Sequence, residues 1–151
     1  MSAYSSNHHQ ITGEFGEYLV LYWLSKNGYE CVHARHVGID IIASKGGNRI
    51  GISVKSRSRK EGKSFNSLTI NKPTEQIEKV KEACFQFDCE EYFAFVFDQL
   101  DTIKVVVTPL KVIEDCYTIS TKSSQDWNII KFEKDSRTSV FEFEWKTRGT
   151  I

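Results

Sequence analysis

The segment 38–57, GIDIIASKGGNRIGISVKSR, limits what this chain can fold into more than any other stretch. Two short apolar runs flank Gly46 and Gly47, and this pattern predicts a β-hairpin with a two-residue turn. Each run carries one charge of opposite sign, Asp40 in the first and Lys55 in the second. Charges embedded in apolar strands indicate either a structural ion pair or a functional site.

Strand parity predicts that these charges share one face of the hairpin. If Gly46 and Gly47 form the turn, Asp40 lies across from Ser53, and Lys55 points to the same face two residues further on. A turn shifted by one residue would pair Asp40 with Lys55 directly and would keep all three on that face. The opposite face is the expected core, with Ile50, Ile52 and Val54.

The composition fits one globular domain. The chain has 151 residues, of which 40% are hydrophobic and 26% are charged, and we predict a single domain over 12–151 after a flexible segment, 1–11. There is no apolar run of membrane-spanning length and no signal pattern, so we expect a cytoplasmic protein without a membrane partner. The 20 basic and 20 acidic residues balance, so only local clustering could indicate a nucleic-acid partner.

A helix is predicted over 13–27, immediately before the first strands. Thr12 is the expected N-cap, and Gly28 fits the left-handed position after the helix end. From Tyr18 to Leu24 the helix is apolar nearly all round, which predicts that this part is largely covered.

The remaining segments alternate strands with short helices. A second helix is predicted over 74–87, with Thr74 as its N-cap, and Pro109 is expected to open a short third helix. Strands are predicted for YECVHAR, LTI, YFAFVF, KVVVT, WNIIKFE and SVFEFEWK. This order predicts an α/β domain with a mixed central sheet between helices.

The shared hairpin face offers a carboxylate, a hydroxyl and an ammonium group in one small patch. Carboxylates and backbone carbonyls are the oxygen ligands that Mg²⁺ prefers. A nearby lysine can orient a water molecule and stabilise charge on a phosphate. Together these groups suit metal-assisted hydrolysis of a phosphodiester bond.

The chain contains GIDIIA, a glycine turn and ISVK in that order. This pattern resembles the core of the PD-(D/E)xK nuclease superfamily, which includes restriction endonucleases and archaeal-type Holliday-junction resolvases. GEFGEY, at 13–18, resembles the first helix of the resolvase-like branch. The resemblance spans about residues 12–85 and extends beyond them in layout only. It implies a restriction-endonuclease-like fold with three α/β/α layers around a mixed β-sheet.

The resemblance also implies roles for particular residues. The implied catalytic residues are Glu17, Asp40, Ser53, Lys55 and Gln76. Glu17, Asp40 and the Val54 carbonyl are implied to bind Mg²⁺ or Mn²⁺, and Lys55 is implied to position the attacking water. Ser53 occupies the place of the second acid of the motif, which leaves the site with fewer negative charges and opens the alternative of lost activity.

A basic cluster follows the second hairpin strand in this neutral chain. Serine and glycine interleave with the cations, which suits contact with phosphates, although a solvated loop would have the same composition. The residues predicted to bind nucleic acid are Arg35, His36, Lys55, Arg57, Arg59, Lys60 and Lys63.

Three functions are consistent with the sequence. The first is a metal-dependent endonuclease that hydrolyses duplex or branched DNA, with a homodimer implied by the resemblance because cutting both strands takes two sites. The second is an inactive nucleic-acid-binding module that retains the fold, which Ser53 supports. The third is a protein-interaction domain in which Asp40 and Lys55 form a structural ion pair.

Overall fold

The computed structural model describes residues 3–59 and 66–150. In chain order, the elements are α1 (His8–Lys26), β1 (Glu30–His33), β2 (Ile41–Lys45), β3 (Asn48–Arg59), β4 (Ser67–Asn71), α2 (Pro73–Phe87), β5 (Glu90–Gln99), β6 (Thr102–Pro109), α3 (Leu110–Cys116), β7 (Ser124–Asn128), α4 (Ile129–Glu133) and β8 (Ser139–Glu144).

Six strands form a central mixed sheet in the order β1-β2-β3-β5-β6-β8. The β3–β5 pair is parallel and every other neighbouring pair in this sheet is antiparallel. Helix α1 packs on one face against β3 and β1, and α2 packs against β3 and β5. The predicted mixed sheet between helices is therefore confirmed.

Both faces of this sheet are buried, so the core has two layers. The layer facing α1 includes Val20, Leu24, Ile41, Ile50 and Ile52. The layer facing α2 and the small β4–β7 ribbon includes Ile39, Leu68, Ile77, Val80, Phe93 and Trp127. The expectation of one core on the isoleucine face of the hairpin was thus too simple, because a sheet that contains a parallel pair is covered on both sides.

The hairpin turn has the predicted centre. Ile41 pairs with Ile52 and Lys45 pairs with Asn48, which leaves Gly46 and Gly47 as the two turn residues. Both have positive φ, 58° and 84°, as a type I′ turn requires.

Helix α1 starts five residues earlier than predicted. It begins at His8, and Thr12 is an internal residue whose hydroxyl donates to the His8 carbonyl over 2.7 Å. The helix therefore takes in residues 8–11 of the segment that we expected to be flexible, while the domain division at residue 12 stays a prediction. Gly28 follows the helix end with φ 85°, as predicted. No helix in the described part of the chain is long and apolar enough to cross a bilayer.

The expectation that α1 is largely covered from Tyr18 to Leu24 is wrong for one side of the helix. Val20 and Leu24 are buried against the sheet, whereas Tyr18 and Tyr22 are 54% and 62% exposed. A helix on the outside of a sheet can bury only the side that it turns to the strands. Apolar residues on the side of α1 that faces away from the sheet stay exposed unless another element packs on them.

Two other local expectations were wrong. Helix α2 begins at Pro73 after Lys72, whose φ is 48°, and the Thr74 hydroxyl donates to the Ser120 carbonyl and does not cap the helix. The segment WNIIKFE is a strand only as far as Asn128. The Asn128 side chain accepts from the backbone N–H of Ile130 and so starts α4, as asparagine does at N-caps.

Gly38, which leads into Asp40, allows a close approach of the chain to α2. Its φ is 103°, and a Cβ atom there would collide with the backbone oxygen of Lys79. We expect Gly38→Ala to lower the free energy of unfolding by about 3 kcal/mol or more, because strained backbone and overpacking add. Gly46→Ala is the matched control: its φ is also positive, at 58°, but nothing lies within 4 Å of its Cβ, and it should lose only about 1 kcal/mol. Urea denaturation would measure both, and equal losses would contradict the role of the contact with α2.

Candidate active site

Asp40 comes just before the first residue of β2 and continues the pairing of that strand with β3. Its backbone N–H donates to the Ile52 carbonyl over 2.8 Å. Its carboxylate Oδ2 accepts from the backbone N–H of Val54 over 2.7 Å. The side chain thus takes the place that a backbone carbonyl would occupy in a longer strand. Since the N–H and C=O of one strand residue point the same way, the Val54 carbonyl faces the side on which Asp40 lies.

Charged side chains from three elements gather around Asp40. Burial raises the pKa of the Asp40 carboxyl, the Val54 hydrogen bond lowers it, the Glu17 charge raises it, and Lys55 and His33 lower it. The net direction is upward, so the surroundings of Asp40 favour its neutral form relative to water.

Lys55 is shifted in the complementary direction. Burial lowers the pKa of its ammonium group, Asp40 opposes that change, and the charges of Arg57 and Lys79 add to it. Asp40 and Lys55 are therefore a partly desolvated pair in which burial outweighs mutual attraction for both members. Such pairs are typical of functional sites, although structural ion pairs also show them.

Glu17 reaches this group from α1 because the helix lies close to β3. Gly16 is buried at the crossing, and a Cβ atom there would overlap the Ser56 hydroxyl. The absence of a side chain at Gly16 sets the short distance between α1 and β3. That distance brings the next residue, Glu17, within electrostatic reach of Asp40.

A hydrogen-bonded relay fixes the Glu17 carboxylate. His33 Nε2 lies 2.6 Å from Glu17 Oε1, and Arg35 Nε donates to His33 Nδ1 over 3.4 Å. Because Nδ1 accepts from Arg35, this network assigns the ring hydrogen to Nε2, which donates to Glu17. His33 was missing from the predicted site residues. Its two-residue spacing from Arg35 at the end of a strand leading into Asp40 is the sequence signal that would have found it.

Ser53, the position that departs from the nuclease motif, is buried with 5% of its surface exposed. It precedes Val54, whose N–H binds the Asp40 carboxylate, but Asp40 itself faces Ile52, because its backbone N–H donates to the Ile52 carbonyl. A hydroxyl therefore stands at the position where the motif would supply a second carboxylate. Its catalytic role stays a prediction, as do those of Glu17, Asp40 and Lys55.

The donors around Asp40 bear on whether a divalent cation can bind there. Within 3–59 and 66–150, no three His, Cys, Asp or Glu side chains form a group that could hold a metal ion. Two carboxylates, Glu17 and Asp40, are nevertheless close enough to interact electrostatically, and the Val54 carbonyl faces the same side. Mg²⁺ is commonly bound by one or two carboxylates together with substrate phosphates and water, and these donors fit that mode.

Gln76, near the start of α2, makes its side-chain hydrogen bond to the end of β4. Its Nε2 donates to the Asn71 carbonyl at the end of β4, and its Oε1 is buried with no hydrogen-bond partner. No contact ties it to Asp40 or Lys55 in the described residues, and its predicted role in catalysis is untested.

Of the predicted nucleic-acid-binding residues, Lys55 lies beside Asp40 as described above, and the other six divide into three groups. Arg35 and His36 are exposed next to the relay. The guanidinium groups of Arg57 and Arg59 donate to backbone carbonyls of β4, and Arg59 also lies 5.5 Å over the Phe97 ring. These hydrogen bonds hold both guanidinium groups between the end of β3 and β4. The predictions for Lys60 and Lys63 lie outside the described residues.

Comparison with known proteins assigns the fold. No protein-family model matches the sequence, and no curated protein matches it. Among solved structures, the 1.6 Å structure of Hjc, a Holliday junction resolvase from the hyperthermophilic archaeon Archaeoglobus fulgidus, is similar with a TM-score of 0.58. The likeness covers 81% of this chain and 88% of that chain at 18% sequence identity. The predicted restriction-endonuclease-like fold, with a mixed sheet between helices, is therefore confirmed.

The raised pKa of Asp40 predicts how stability depends on pH. The folded state binds a proton at Asp40 more tightly than the unfolded state, so the free energy of unfolding falls as pH rises from the ordinary pKa of 3.8 through the higher folded value. Asp40→Asn mimics the neutral form and keeps an acceptor for Val54 N–H. We expect the variant to be more stable than the wild type at pH 7 and to lack this decline.

Thermal unfolding between pH 3 and pH 8 would measure the effect. Asp101→Asn, in the exposed turn between β5 and β6, is the control and should follow the wild-type curve. A less stable Asp40→Asn variant at pH 7 would show that the ionised carboxylate contributes net stability, contrary to this prediction.

Proposed function

We propose that the protein is a structure-specific endonuclease that hydrolyses phosphodiester bonds in DNA. The observation that carries the proposal is the electrostatic contact of Asp40 with both Glu17 and Lys55 in a restriction-endonuclease-like fold, with Asp40 and Lys55 partly desolvated. An ionisable side chain whose surroundings disfavour its charged form lowers the stability of the fold. Such side chains are therefore expected where a reaction requires them.

Each residue has a distinct part in the proposed reaction. Glu17, Asp40 and the Val54 carbonyl would hold Mg²⁺ or Mn²⁺, which would polarise the scissile phosphate and neutralise the charge that develops on it. Lys55, whose pKa is lowered by burial, would orient the attacking water and donate to a phosphate oxygen. His33 would keep the Glu17 carboxylate aimed at the site through its hydrogen bond.

The cations around the site supply the DNA contacts in this proposal. Arg57 and Arg59 line one edge of β3, and Arg35 and His36 lie near the relay on β1. These side chains would contact phosphates and orient the substrate without reading its bases. The similar solved structure is a Holliday junction resolvase, which supports branched DNA as the substrate to test first.

A homodimer belongs to the same proposal. Strand β8 forms one edge of the central sheet, and the exposed aromatic residues Phe15, Phe143 and Trp145 lie beside one another at that edge. Exposed apolar clusters of this kind mark interaction surfaces. Two copies joined there would provide one site for each strand of a duplex or junction.

Ser53 supports a second candidate function, an inactive nucleic-acid-binding module. The buried hydroxyl gives the site one carboxylate fewer than the motif, and a weaker cation site would slow hydrolysis without affecting phosphate contacts. Such a module would bind DNA with an affinity that falls steeply with salt. It would show no cleavage with any divalent cation.

Cleavage assays separate these functions. Incubated with branched, nicked, duplex and single-stranded DNA and with Mg²⁺ or Mn²⁺, the wild type should cut at least the branched substrate. Asp40→Ala and Lys55→Ala should each reduce the rate by about a hundredfold or more, as loss of a group acting in the transition state does. The matched control, Lys111→Ala, removes an exposed lysine of α3 and should leave the rate unchanged. Equal activity in all variants would identify the cleavage as contamination and defeat the proposal.

Restoring the missing acid gives an independent test. Ser53→Asp would place a third carboxylate beside Asp40, and we expect it to lower the Mg²⁺ concentration needed for half-maximal cleavage by about tenfold. The added buried charge should also reduce stability in the absence of metal. Ser53→Asn, similar in size but uncharged, is the control. If both variants respond to Mg²⁺ as the wild type does, the cation does not bind next to residue 53.

A further inference from the structure

We propose that the uncovered side of α1 binds unpaired nucleobases of a DNA strand that passes the candidate active site. The inference rests on the proposed function and adds to it a substrate class, DNA with a single-stranded segment next to the scissile bond. The surface is a groove of about 610 Å³ between α1 and the start of β1. We call it the tyrosine groove, and the residues that define it here are Tyr18, Leu21, Tyr22, Tyr29 and Cys31.

The groove follows from the position of α1 on the sheet. Val20 and Leu24 fill the sheet side of the helix. Tyr18 and Tyr22 are one helical turn apart on another side, where more than half of each side chain is exposed. Exposed tyrosines at adjacent turns present flat aromatic faces, and nucleobases stack on such faces without regard to sequence.

The charges at the groove suit a nucleic-acid strand. Lys26 Nζ lies 5.5 Å from the centre of the Tyr22 ring, and Lys45 Nζ lies 5.5 Å from that of Tyr29. Glu30 is the acidic side chain among the residues that line the groove. Lys45 Nζ also donates to the Asn27 carbonyl over 2.6 Å, so Lys26 is the lysine that can turn to a phosphate when a base takes its place on the Tyr22 ring. Cation and aromatic contacts then serve the same strand.

The groove also adjoins the candidate site. The Tyr18 ring meets the His33 ring edge-on, with centroids 5.1 Å apart, and His33 binds Glu17. A strand that leaves Glu17 would therefore pass Tyr18 first and Tyr22 next. Bases within an intact duplex are stacked and paired and cannot reach these rings. Only an unpaired segment, such as a fork or flap, can occupy the groove.

A protein partner is less well matched to this surface. Protein interfaces have apolar centres depleted of lysine, whereas Lys26 and Lys45 both lie at the end of the tyrosine groove near Asn27. The aromatic cluster formed by Phe15 on α1, Phe143 on β8 and Trp145 just after β8 fits a second copy better. Charge and continuity with the site therefore favour nucleic acid as the occupant.

Binding measurements with paired substitutions test the proposal. Fluorescence anisotropy of a labelled oligothymidylate and of a duplex of equal length would give both dissociation constants without added metal. Tyr18→Ala combined with Tyr22→Ala should weaken single-strand binding by about tenfold or more and should change duplex binding by less than about twofold. Tyr18→Phe with Tyr22→Phe keeps the rings and should bind as the wild type does. Phe85→Ala, which removes an aromatic residue that is 81% exposed on α2, is the control for loss of any exposed ring.

The outcomes separate this proposal from the proposed function. If the double alanine variant binds single strands as the wild type does, the tyrosine groove is not a base-binding site, while duplex binding and cleavage still support the nuclease. If the wild type binds neither DNA, both proposals fall. Sedimentation velocity provides the remaining check: loss of self-association in the double alanine variant, with single-strand binding retained, would make the groove a contact between copies and would overturn the assignment.

Discussion

The hydrogen bond from Val54 N–H to the Asp40 carboxylate organises the centre of this molecule. The bond continues the β2–β3 pairing just before the first residue of β2, where a side-chain oxygen takes the place of a backbone acceptor. The same bond places a carboxylate next to Lys55, which is one residue beyond Val54. Gly38 brings the chain into that position by passing against the backbone of α2. Local strand geometry and the charge arrangement therefore depend on one contact.

The two-layered core explains why the surroundings of Asp40 and Lys55 disfavour their charged forms. Helix α1 covers one face of the sheet, and α2 with the β4–β7 ribbon covers the other, so Asp40 and Lys55 are half-buried. In such surroundings a carboxylate and an ammonium group both lose solvation, and their attraction offsets only part of the loss. The fold tolerates this because the apolar layers on either side are extensive. Stability supplied by the core permits an arrangement that is unfavourable in isolation.

The sequence was sufficient for features set by neighbouring residues. The glycine pair determined the hairpin centre, and the closeness of Asp40 to the β3 segment that carries Ser53 and Lys55 followed from it. Simple strand parity did not foresee that the alternation breaks at Asp40, where Ile39 and Ile41 lie in opposite core layers. Features that depend on distant contacts were not predictable in this way. Tyr18 and Tyr22 look like core residues until the position of α1 shows that nothing described covers them. The end of a strand at Asn128 depends on its side chain, which caps α4. The role of His33 depends on its contact with Glu17, which lies on another element.

The close crossing of α1 and β3 has a consequence for how such a chain can change. Gly16 and Ser56 occupy one shared space, and a methyl group at the first would need the volume of the second. The two positions should therefore vary together among descendants of this sequence, with a larger residue at one accompanied by a smaller residue at the other. A larger residue at only one of them would push the helix away from the strand and withdraw Glu17 from Asp40, although neither Gly16 nor Ser56 carries any charge.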